Sequence, residues 1–220
     1  MQATAEATNA TPALSEAAAT APRTPPKLAR PDEVAVRRIS VAEYYRMGEA
    51  GIFGPEERVE LLDGLLIEMP PGGPPHAYSV DRVTSVFHKR FNGRAYIRTQ
   101  GPVTLDKWSE PEPDVMLSAP PEEQYAVAHP KPSQVFLVVE VAVSSLRYDA
   151  GAKLRAYARR GVREYWIVDV EAGNVDVYRE PRGERYKKHE RAERGQSIAP
   201  LAFPNDAIAV NDILPPPPPR

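Results

Sequence analysis

Glu140 is the only charged residue in the run FLVVEVAVSS, Phe136–Ser145. An isolated carboxylate among such neighbours costs several kcal/mol to desolvate unless it is neutralised or paired. Two readings follow: a buried salt bridge to an arginine or lysine, or a metal ligand. Asp114, in EPEPDVML, stands at the mouth of the preceding apolar run. If the two runs are neighbouring strands, Asp114 and Glu140 converge near one edge. Two carboxylates in one site repel each other unless a cation sits between them. An oxygen pair with open positions suits Mg²⁺, which keeps several of its waters. Read alone, Asp114 is equally a turn residue after proline. Lys153 follows on a helix, with Tyr157 one turn further on the same face. The lysine either pairs with Asp149 at i,i+4 spacing or holds a water or a phosphate beside a metal. His76 opens a helix beside a Gly/Pro loop where a phosphate could be received, and Gln100 closes a strand. Both residue types also serve as caps or surface groups. His88, His129 and His189 lack metal-ligand spacing and read as surface residues.

The chain as a whole narrows the chemistry. It has no cysteine, which excludes thiolate nucleophiles, disulfides and Cys-ligated metal or iron–sulfur sites. The formal net charge of −2 across 220 residues gives no global basic field for a polyanion. An anionic substrate would have to be held by a local basic patch or by a metal. The run RYKKHER, residues 185–191, is the best local candidate for a nucleic-acid backbone, although such a run also reads as a solvated hairpin face. No apolar stretch approaches the roughly 20 residues of a membrane span. The first residues lack the basic and apolar regions of a secretory signal, so the expected location is cytoplasmic.

The elements that must position these residues are legible from periodicity. Residues 1–37, rich in Ala, Thr and Pro, read as a disordered tail, and residues 215–220 as a polyproline tail. One domain remains, 38–214. Ser40 caps a helix through VAEYYRMGEAG. Asp63-Gly64 between apolar runs predicts a hairpin of Val59–Leu62 and Leu65–Met69. Val80, Val83, Phe87 and Phe91 predict an amphipathic helix from His76 to about Asn92. Strands are expected at AYIRTQ, VTLD, PDVMLS and Val135–Val143. In the last of these, Phe136, Val138, Glu140 and Ala142 should share a face, and apolar residues on both faces make it central. A helix from about Tyr148 to Arg160, the strand VREYWIVDV, a hairpin of NVDVYRE with RYKKHER and a short last strand at IAVNDIL complete the order. The fold class is α/β (α+β): a mixed central sheet flanked by helices, with additional hairpins.

The blocks ERVELLDGLLIEMPPGGPPHAYSV, EPDVML and VVEVAVSSLRYDAGAKLRAYARRGVREYWIVD, in this order and spacing, resemble the Uma-two family of restriction-endonuclease-like proteins, within the PD-(D/E)XK nuclease superfamily. The likeness covers roughly residues 39–212. It implies a restriction-endonuclease-like core with catalytic Glu60, Asp114, Glu140 and Lys153. It implies Mg²⁺ or Mn²⁺ held by Asp114, Glu140 and the Val141 carbonyl, with His76, Gln100 and Tyr157 about the site. The implied substrate is nucleic acid, DNA rather than RNA, cut by a homodimer. The chain departs from the superfamily pattern in one respect. No lysine follows Glu140 on its strand, and the resemblance places that lysine on the next helix, at Lys153. Two rivals remain from the sequence. One is an inactive nuclease fold that only binds nucleic acid or protein. The other is a metal-free scaffold in which Glu140 pairs with Lys153.

Overall fold

The computed structural model describes residues 36–217. The chain divides into two units, Met1–Arg37 and Arg38–Arg220. The tail expected at 1–37 lies outside the described residues but for its last two positions, as does the end of the polyproline tail. Among the described residues no helix is long and apolar enough to cross a membrane.

The second unit is built on a six-stranded mixed sheet. Its strands are β3 (Tyr96–Thr99), β4 (Val115–Ser118), β5 (Val135–Ala142), β6 (Glu164–Asp169), β7 (Asn174–Arg182) and β8 (Arg185–Glu193), in that spatial order. Only β5 and β6 run parallel. A parallel pair needs a crossover, supplied by the helical stretch α3 (Leu146–Tyr148), a wide π turn (Asp149–Lys153) and α4 (Leu154–Arg159). Both faces of the central strands are covered. Helix α2 (Pro74–Phe91) lays Val80, Val83, Phe87 and Phe91 against Val115, Leu117, Leu137, Val139, Val141 and Trp166. On the other face Ala156, Tyr157 and Ala158 of α4 pack on Met116, Val138, Ala142, Tyr165 and Ile167. Glu140 alternates onto this second face, toward α4.

The hairpin of β1 (Val59–Leu62) and β2 (Leu65–Glu68) is a separate two-stranded sheet. Asp63 and Gly64 turn it with φ of 52° and 77°, as a type I′ turn requires. The Glu110 N–H donates to the Leu61 carbonyl at 2.8 Å, which ties β1 to the proline-locked segment leading into β4. Helix α1 (Val41–Glu49) starts at a Ser40–Glu43 capping box, as its sequence predicts.

Four expectations change. Phe136 does not share a face with Glu140. The register with β4 shifts between Leu117 and Ser118, which pair with Leu137 and Val135, so Phe136 is the extra residue of a bulge and packs on the opposite side. The segment Val103–Asp106 is not a strand. Pro102, Pro111 and Pro113 withhold ladder donors, and Val103 and Thr104 bond instead to the Pro111 and Pro130 carbonyls. At IAVNDIL only Ile208–Ala209 (β10) is extended, paired with Ser197–Ile198 (β9). Val210–Ile213 (α5) then turns helical and buries Val210 and Ile213 beside α2. The crossover helix begins at Leu146, two residues before its expected start.

Gly64 carries one local demand. Its φ is left-handed, and a Cβ there would meet the Arg38 Cβ at 2.5 Å. Replacing Gly64 with Ala should therefore destabilise the domain by roughly 1–3 kcal/mol, read as a lower thermal midpoint, whereas Gly161→Asn, open around its Cβ position, should change it little.

Candidate active site

The register that pairs Val115 with Val139 places Asp114, one residue earlier, across from Glu140. Asp114 Oδ2 accepts a hydrogen bond from the Val141 N–H at 2.8 Å and lies 3.2 Å from His76 Nε2. Helix α2 brings in His76 at its first turn because Pro74 and Pro75 start the helix immediately after the loop. Gly72 makes room for the imidazole: a Cβ there would meet His76 Nδ1 at 2.6 Å. The bond to Asp114, opposed by burial, raises the His76 pKa above its ordinary value.

Glu140 is 3% exposed. Its Oε1 accepts from Lys153 Nζ and from the Tyr157 hydroxyl, both at 2.9 Å. Lys153 also lies 3.3 Å from Glu60 Oε2. Glu60, fully buried on β1, accepts in addition from the Glu112 N–H at 2.9 Å and the Tyr148 hydroxyl at 2.8 Å. One ammonium thus holds two buried carboxylates from two different sheets. Burial opposes its charge, but Glu140, Glu60 and Asp149 outweigh burial and keep the Lys153 pKa well above the ordinary lysine value. Burial, reinforced by Asp149, Asp114 and Glu60 and opposed by Lys153, raises the Glu140 pKa.

These groups line one cleft of about 160 Å³, with Gln100, the Pro70–Gly73 loop and Ser144–Ser145 completing its walls. Gln100 sits at φ 46° and donates its N–H to the Asp114 carbonyl at 2.9 Å. Of the residues singled out in the sequence, Glu60, His76, Gln100, Asp114, Glu140, Val141 and Lys153 meet here. Tyr157 does not line the cleft: fully buried, it fixes Glu140 from behind.

Three residues belong here that sequence reasoning passed over: Glu112, Tyr148 and Asp149. Asp149 is 3% exposed, and its Oδ2 accepts from Ser145 Oγ at 2.6 Å. Burial, opposed by Lys153 and Ser145, pushes its pKa up to about 6. Its sequence signal, the i,i+4 spacing to Lys153, read as a helix-surface ion pair. The π turn instead directs both residues inward. Burial also raises the pKa of Glu112, with Arg58 opposing.

The donor set bears on a metal. Among the described residues no three His, Asp or Glu side chains are grouped closely enough to cage an ion. Asp114 and Glu140 nonetheless fit a cation that takes one or two carboxylates and keeps its waters. Both hydrogen bonds to Asp114 fall on Oδ2 and both to Glu140 on Oε1. The second oxygens are not among the sealed, unpaired polar atoms of the described residues, and both residues line the cleft. Six carboxylates line the cleft against Lys153, Arg58 and His76, a surplus of negative charge that a divalent cation would relieve.

The fold is that of a nuclease-like domain. A crystal structure titled as "a putative nuclease belonging to DUF820", from Anabaena variabilis ATCC 29413, superposes with a TM-score of 0.64 at 17% identity, covering 80% of this chain and 97% of that one. The family described as "Uma2: Putative restriction endonuclease" matches residues 41–211, and the chain belongs to that family. No curated protein matches the chain.

The titration of the cleft has a sign. Asp149 holds its proton more tightly folded than unfolded, so its ionisation counts against stability fully above about pH 6, and the penalty disappears as pH falls from there toward 3.8. His76, raised, stabilises at low pH and loses that contribution as pH rises through its folded value. Asp149→Asn in chelator should therefore gain stability relative to wild type between pH 4.5 and 7.5, by on the order of 3 kcal/mol at most. Thermal denaturation across that range checks this, and a difference that does not vary with pH would refute it.

Proposed function

We propose that the protein is a metal-dependent endonuclease that hydrolyses phosphodiester bonds of nucleic acid, DNA in preference to RNA. Membership of the Uma2 family supports a nuclease. The observation that carries the finer reading is the opposition of Asp114 and Glu140 across neighbouring strands, both lining the cleft. In this reading Asp114, Glu140 and the Val141 carbonyl would hold Mg²⁺ or Mn²⁺. The ion, when bound, supplies a Lewis acid for the phosphoryl oxygen and a water of lowered pKa.

The remaining steps belong to the chain's own groups. Lys153 has three ammonium protons. It donates one to Glu140 at 2.9 Å and forms an ion pair with Glu60 at 3.3 Å, and in this reading its remaining donor capacity orients a water or meets developing phosphoryl charge. Glu60 fixes the lysine rather than meeting substrate. Tyr157 and Val141 hold the Glu140 and Asp114 carboxylates in place. Asp149, with a pKa of about 6, can take up a proton near neutrality. Cutting both strands of a duplex calls for two such sites, hence a homodimer.

The Glu140–Lys153 pair also gives the metal-free scaffold reading a concrete basis. The two readings separate experimentally. Calorimetric titration with Mg²⁺ or Mn²⁺ should show binding at millimolar concentration or below in wild type and a loss of at least tenfold in Asp114→Asn. Silence in wild type favours the scaffold. Plasmid cleavage with either metal should fall by about 100-fold or more in Glu140→Gln and in Lys153→Ala. Unchanged cleavage by both variants rules out the assignment. Removing Lys153 leaves two buried carboxylates without their cation, at a stability cost of about 3–5 kcal/mol, so Lys153→Ala is assayed below its own midpoint.

A further inference from the structure

The acid cleft by itself repels a polyanion. Glu60, Glu112, Asp114, Glu140 and Asp149 gather where a phosphate must arrive, and the chain's net charge of −2 adds no long-range attraction. Attraction has to come from cations beside the cleft that the fold itself does not neutralise. Most basic side chains of the crossover helix fail that condition. Lys153 is held by Glu140 and Glu60, Arg159 by Asp63 and Glu184, and Arg160 by Asp106. The basic run of β8 is partly engaged, Arg191 and His189 by Asp176 and Lys188 by Glu180, and its remaining cations, Arg185 and Lys187, line neither the cleft nor the groove beside it.

Arg147 and Arg155 are different. Both are exposed, and among the described residues neither has an ion pair or hydrogen-bond partner. They line a second, shallower groove together with Ser144, Ser145, Tyr148, Gly151 and Ala152. Ser144, Ser145 and Tyr148 also line the acid cleft, so the two depressions adjoin across a shared wall. The floor between the arginines is low because Gly151 and Ala152 carry almost no side chain. The Arg155 head folds toward that floor: a Cβ on Gly151 would find Arg155 Nη1 at 3.9 Å. Two uncompensated guanidiniums on one helix face, over small residues, match the planar bidentate donors that phosphate oxygens accept.

We propose that this groove is a backbone-binding subsite for a polynucleotide strand, in which Arg147 and Arg155 hold phosphates flanking the one presented to Asp114 and Glu140. The subsite rests on the nuclease reading and extends it. Its ligand is the phosphodiester backbone, not a base, so it contributes affinity without sequence preference.

The test uses the full chain and oligonucleotides of about 20 nucleotides, single- and double-stranded. Cleavage kinetics with Mg²⁺ or Mn²⁺ and salt-dependent binding by fluorescence anisotropy are compared for wild type, Arg147→Gln, Arg155→Gln, the double variant and the control Arg163→Gln. Arg163 is exposed and precedes β6, away from the end of β5 that carries the site. The double variant should bind about 10- to 100-fold more weakly. Its slope of log affinity against log salt should be shallower by about 1.4–1.8, because two phosphates are no longer neutralised. Its KM should rise while kcat at saturation stays within about twofold, and the control should match wild type. If wild type cleaves but the double variant keeps its KM and salt slope, the subsite is refuted and the nuclease reading stands. If wild type neither binds nor cleaves any oligonucleotide with either metal, both fall together.

Discussion

The structure depends on one buried ammonium. Lys153 reaches from the crossover helix to Glu140 on the central sheet and Glu60 on the separate hairpin. Without it two carboxylates would stand unpaired in the apolar interior, where each charge costs several kcal/mol. The same contact joins three elements with no continuous ladder between them. It therefore fixes the placement of the hairpin as well as the electrostatics of the cleft. Tyr148 and Tyr157 close the arrangement by donating to the two acids from either side of the lysine.

This answers how a buried strand accommodates an acid without deciding between structure and chemistry by itself. A pair that merely neutralised Glu140 would need one carboxylate and one lysine. The cleft instead collects acids well beyond the cations available to them, at a position where β4 and β5 oppose their carboxylates. Burial, with the neighbouring acids adding to it, disfavours their charged forms, and the pKa values of Glu140, Asp149 and Glu112 are raised accordingly. The proposed cation would relieve that excess.

Much of the frame was legible because it follows from local rules. The alternation around Glu140 defines a central strand, Asp63-Gly64 defines its turn, and the spacing of Val80, Val83, Phe87 and Phe91 defines a helix face. The approach of Asp114 to Glu140 was legible as a condition on strand adjacency. What escaped depends on tertiary context. The bulge at Phe136 arises where β4 and β5 fall out of register, and no residue type there announces it. Val210–Ile213 turns helical because its apolar residues find the α2 cluster, not because its sequence favours a helix. His129, read as a surface residue, lies between Arg98 and the Tyr45 hydroxyl. Asp149 was hidden by a correct spacing with the wrong geometry: its partner is Ser145, and only a widened turn sends it inward.

That widened turn has a further consequence. The Leu154 N–H reaches back to the Asp149 carbonyl, which also receives the Tyr165 hydroxyl at 3.1 Å. In a helix each residue advances the face by about 100°, so one residue more or fewer between Ser145 and Leu154 would swing everything after it by that angle. Lys153 would leave the acids, and Arg155 would leave the side that carries Arg147. The side chain at the exposed Ala150 can change, but the residue count cannot. The helix works as a gear with a fixed number of teeth, meshed with the sheet on one flank and with the groove on the other.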